Sequence, residues 1–117
     1  MATTVQLLKK LQLLQTLVAG EGMGDEVTEV TISKLLSYEI EKVRKRQSQI
    51  REKLTAFEEQ YNLKTEEFSR KFQDGTMGDA IDFFEWSALA EMYQELSQRL
   101  TDAEQVSHAA SDTGTPQ

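Results

Sequence analysis

The chain has no cysteine, one proline, one histidine and one tryptophan in its 117 residues. Without cysteine there is no disulfide frame, no thiolate nucleophile and no thiolate metal ligand, a composition that fits the expected cytoplasmic location. The single histidine, His108, stands apart from any carboxylate or aromatic cluster and offers neither a ligand nor a base. Long apolar runs are missing too. Val5, Leu7, Leu8, Leu11, Leu13, Leu14, Leu17 and Val18 come nearest, but Lys9, Lys10, Gln12 and Gln15 interrupt them. The positive charges lie inside that run and not ahead of it, so neither a secretory leader nor a membrane span is expected. Phosphate-loop, dinucleotide-binding, Ser/His/Asp and calcium-loop patterns are all absent. No enzyme activity, cofactor or metal is expected.

What is present is charge. Hydrophobic residues make up 38% of the chain and charged residues 28%, a balance suited to helices whose outer faces stay wet. The net charge of −7 is unevenly spread. Residues 33–60 carry seven Lys/Arg against five Glu, whereas residues 65–105 carry ten Asp/Glu against three Lys/Arg. Such a chain can touch nucleic acid through its basic stretch, but its overall field does not favour that partner.

Residues 4–18 read as a short amphipathic helix, with Leu7, Leu11, Leu14 and Val18 at helical spacing and an apolar face wide enough to need cover. Three glycines between Gly20 and Gly24 then form a hinge. Val-Thr-Glu-Val-Thr-Ile at 27–32 is β-branched at five of six positions and is the strand candidate, the alternative being an extended lead-in. Ser33 offers an N-cap for a long helix running to Tyr61.

That helix carries the clearest signal. Leu36, Ile40, Val43, Gln47, Ile50, Leu54, Phe57 and Tyr61 are spaced alternately by four and three residues. A buried amide at Gln47 would admit only some registers. Arg44, Arg46, Arg51 and Lys53 flank the seam. They are either a solvated face balanced by Glu41, Glu52 and Glu58 or a rail for an acidic partner.

Thr65, with Glu66 and Glu67 in the following turn, predicts a short helix bearing Phe68 and Phe72 and ending at Asp74-Gly75. Asp79 predicts the cap of a second long helix, whose seam is Trp86, Leu89, Tyr93, Leu96, Leu100 and Ala103. Ile81, Phe84, Ala88 and Met92 would broaden its apolar face. Asp79, Asp82 and Glu85 share one side of its start. First-turn acids favoured by the helix dipole explain them better than a metal or acid–base site. From Val106 the composition predicts a disordered tail.

The expected fold is therefore all-α. It is an antiparallel, coiled-coil-like hairpin over 25–105, preceded by a helix and hinge over 1–24 and followed by a tail over 106–117. Its seam is Ile40, Val43, Gln47, Ile50, Leu54, Leu89, Tyr93 and Leu96, and pairing of two copies into a four-helix bundle would thicken it. Five of the nine aromatic residues lie between Phe68 and Trp86 and should gather at the hairpin tip. Phe83, Phe84 and Trp86 are candidate partner-binding residues there, although holding the short helix in place is their expected first task.

Over about residues 30–105, and most distinctively from Tyr61 through Leu100, the chain resembles a family of small bacterial and archaeal proteins. Its shared run is Glu66-Glu67-Phe68, Phe72, Gly75, Gly78-Asp79 and Asp82-Phe83-Phe84-Glu85-Trp86, set behind a long charged helix. Where that family has Tyr-Gly-Met, this chain has Tyr61-Asn62-Leu63, and Asn tolerates the left-handed backbone that Gly would adopt. Family members are encoded beside small toxins of the TumE kind, which implies an antitoxin that binds a cognate toxin. The rival expectations are a structural coiled-coil adaptor and a small DNA-binding regulator using Lys34 to Lys53 on phosphates.

Overall fold

The computed structural model describes residues 3–20 and 24–113. Four helices account for its regular structure: α1 (Thr4–Ala19), α2 (Glu26–Tyr61), α3 (Thr65–Gln73) and α4 (Ile81–Thr113). The chain forms two compact units, Met1–Leu36 and Ser37–Gln117, and the division falls inside α2.

In the first unit, α1 opens with a capping box. The Gln6 amide donates to the Thr3 hydroxyl at 3.1 Å, and the Thr3 amide donates to Oε1 of Gln6 at 3.0 Å. No residue of α1 is buried, so its apolar face lacks the cover that its width demands. The run 27–32 is helical and not extended, because α2 starts at Glu26. Asp25 is the cap in place of Ser33: its Oδ1 accepts from the Thr28 amide at 2.8 Å, an interaction that holds the Asp25 carboxyl below its usual pKa. Glu26 and Glu29 then sit where the helix dipole favours acids. Five β-branched residues cost only a few tenths of a kcal/mol each in a helix. A lone strand would leave its whole backbone unpaired, so the helix wins.

In the second unit, α2 and α4 pack as a hairpin. Contacts step down one helix as they step up the other. Arg44 meets Glu104, Gln47 meets Ser97, Arg51 meets Tyr93, Phe57 meets Trp86 and Tyr61 meets Asp82, which makes the pair antiparallel. The buried cluster is Ile50, Leu54, Phe68, Trp86 and Leu89, with Leu100 buried further along. The other seam residues, Ile40, Val43, Gln47, Tyr93 and Leu96, are half-buried. The Gln47 amide donates to the Ser97 hydroxyl, so the polar seam residue has a partner in this register.

The connection between the helices is tight. Asn62 ends α2 in the left-handed region at φ 50°, and Gly75 and Gly78 take φ 79° and 88°, reversing the chain around α3. Two caps differ from expectation. α3 begins at Thr65 itself, with Lys64 at the N-cap position and no side-chain cap from it. α4 begins at Ile81, where the Phe83 amide donates to the Ala80 carbonyl, so Asp79 lies outside the capping position. α4 also runs through Thr113, where a disordered tail was expected from Val106; residues 114–117 lie outside the described residues. Helix formers such as Ala103, Glu104, Gln105 and Ala109 outweigh the Ser and Thr among them.

Candidate functional site

The tip of the hairpin is an aromatic block built from three helices. Trp86 of α4 and Phe68 of α3 are both wholly inaccessible, with rings 3.9 Å apart and nearly parallel. Phe57 and Tyr61 of α2 stack on Trp86 at 5.5 and 5.8 Å. Phe83 meets Tyr61 edge-on at 5.2 Å and tilts against Phe68 at 5.7 Å. Phe72 stacks on Phe68 and meets Phe84 edge-on, each at 5.4 Å. The expectation that these rings hold α3 against α4 therefore describes the packing.

A polar chain runs through this block. Trp86 Nε1 donates to the buried Thr65 hydroxyl at 3.1 Å. That hydroxyl donates to Oε2 of Glu58 at 2.8 Å, and the Thr65 amide donates to the same oxygen at 2.9 Å. Glu58 thus caps α3 from a different helix. Its side chain is only 10% exposed, and its other oxygen faces Arg51 at 3.4 Å. Burial works against the charge, but the two Thr65 bonds, with Arg51 and Lys64, outweigh it and hold the carboxyl below its usual value. Beside it, the Tyr61 hydroxyl donates to Asp82 at 2.6 Å, a bond that raises the phenol pKa.

This network escapes a reading of motifs, because its members come from three helices and no single spacing joins them. The available signal was Glu58 itself, a carboxylate four residues beyond seam residue Leu54 and therefore close to the apolar face.

The candidate residues divide. Trp86 is core and has no surface for a partner, and Phe83 is half-buried. Phe84 is 56% exposed and Ile81, expected to widen the seam, is 85% exposed. Ala88 is exposed as well, so of the four residues expected to broaden the seam only Met92, half-buried against the core cluster, does so. Asp79 and Glu85 are exposed too, while Asp82 is engaged by Tyr61. The basic row splits too. Arg44 pairs with Glu41 and Glu104, and Arg51 pairs with Glu58 and lies over Tyr93 at 5.9 Å. Arg46 and Lys53 are exposed, so the four do not form one rail. Among the described residues, no group of three or more His, Asp or Glu is arranged to hold a metal ion. No helix among them is long and apolar enough to cross a membrane.

Comparison with protein-family models, curated proteins and solved structures finds no match.

Proposed function

We propose that this chain is a protein-binding module whose hairpin tip docks a basic partner. Following the resemblance over about residues 30–105, that partner is a toxin neutralised by direct binding. The supporting observation is the division of labour within one motif. Phe83 and Trp86 are taken up by packing, yet Ile81 and Phe84 stand 85% and 56% exposed on the same turns, with Asp79 and Glu85, both exposed, next to them in sequence. Large apolar side chains with acidic neighbours suit a partner with an apolar pocket in a basic surface.

The test is co-expression with the product of the adjacent gene, followed by affinity measurement with the parent and with Ile81→Ala/Phe84→Ala. Anchors at the centre of an interface contribute about 2 kcal/mol or more each, so loss of the pair should weaken binding by on the order of several hundredfold. The free protein should melt almost unchanged. Equal affinity in parent and variant would refute docking at the tip.

A further inference from the structure

We infer that the first unit is a self-association element, in which two copies of the chain bury α1 of each against the start of α2 of the other. This goes beyond the hairpin-tip reading and uses other residues. Eleven large apolar side chains between Val5 and Leu35 are 39% to 75% exposed. A stable dimer covers about 800 Å² on each partner, an area that such a set supplies. The faces are also two-sided. Leu7, Leu11 and Leu14 form one stripe, but Leu13 projects about 200° from Leu11 and so needs a second neighbour. A helix apolar on opposite sides is stable only when packed on both, as inside a four-helix arrangement, and two copies of a two-helix unit provide four helices.

Charge selects a second copy over a foreign surface. Residues 1–36 carry net −1, whereas residues 37–117 carry net −6 and would repel their own copy. Within the first unit the signs are largely segregated, Lys34 further along α2 being the exception. α1 bears Lys9 and Lys10 and no acid, and the entry to α2 bears Asp25, Glu26 and Glu29. Crossing α1 of one copy over α2 of the other sets these groups against each other twice, once for each copy. An isologous pair requires such self-complementarity.

Sedimentation equilibrium of the full chain should give twice the 13.3 kDa monomer mass. Leu11→Glu/Leu14→Glu should give the monomer mass, with the Trp86 fluorescence melt of the hairpin retained. Lys9→Glu/Lys10→Glu and Glu26→Lys/Glu29→Lys should each weaken self-association at low salt by about tenfold or more. Mixed together, the two charge variants should restore a dimer containing one of each. The inference is overturned by a parent that stays monomeric at about 100 µM, a concentration well above the micromolar range of such interfaces. A dimer that survives Leu11→Glu/Leu14→Glu overturns it as well, and so does a mixture of charge variants that forms no mixed dimer.

Discussion

Replacing Thr65 by Val tests the polar chain in the tip at nearly constant volume. The substitution removes the only acceptor shown for the buried Trp86 N–H and one of two Thr65 donors to Glu58, and it leaves the backbone amide bond to Glu58 in place. An orphaned buried donor costs about 1–3 kcal/mol, and a lost bond to a charged acceptor adds about 1–2 kcal/mol. The expected loss is about 2–5 kcal/mol. For a unit of this size that lowers Tm by on the order of 10–25 °C. Thr65→Ser keeps both hydroxyl bonds and loses only a methyl group, so it should cost about 1 kcal/mol.

Urea unfolding followed by Trp86 fluorescence reads both variants, because Trp86 is the sole tryptophan. The same chain makes stability depend on acid. The Glu58 carboxyl lies below its unfolded value of 4.5, so its contribution is fully present above that pH. It is lost as pH falls through the lower folded value, where the folded state must take up the proton. Thr65→Val should flatten this acid limb and Glu58→Gln should flatten it further. A Thr65→Val protein within about 0.5 kcal/mol of the parent would refute the account, since a buried indole N–H would then have found another partner.

Two further outcomes separate core from surface. Trp86→Ala should cost about 3–5 kcal/mol in thermal melts, while Phe84→Ala should stay within about 1 kcal/mol; equal melting of both would contradict the burial difference. Gln47→Leu should raise stability by up to about 1 kcal/mol, because the half-buried Ser97 hydroxyl can turn to a carbonyl of its own helix; a loss above 1 kcal/mol would make the Gln47–Ser97 bond a net stabiliser of the hairpin.

Much of the hairpin was legible in its spacing. Alternate steps of four and three residues from Leu36 to Tyr61 and from Trp86 to Ala103 mark seams that only a partner helix can cover, and between Arg44 and Tyr61 the first seam lies against the second. Asn62 could be read as a left-handed stop because its side chain tolerates that backbone, and its φ of 50° agrees. The errors share a cause. Ser33, Thr65 and Asp79 are good capping residues by type, but capping is decided by which oxygen reaches the free amides. At α2 Asp25 does so, and at α3 it is Glu58 from another helix. Likewise the β-branched composition at 27–32 is a weak preference that a continuous helix overrides. Phe84 and Trp86 look alike in sequence, yet two residues on a helix point about 200° apart, so one fills the core and the other meets solvent.

The antiparallel register carries a kinetic consequence. The tip contact joins Tyr61 to Asp82 across 21 residues of chain, whereas the far contact joins Arg44 to Glu104 across 60. Loop-closure entropy rises with the logarithm of loop length, so the tip contacts close at the least cost and each further rung shortens the loop left for the next. Folding then runs as a zipper from the aromatic block towards the Arg44–Glu104 end, and opening runs in reverse. Amide hydrogen exchange should therefore be graded along α2 and α4, slowest near Leu54 and Trp86 and fastest beyond Arg44 and Glu104. The Arg44–Glu104 rung therefore opens first and the aromatic block last, so local opening exposes the far end of the seam while the tip stays closed.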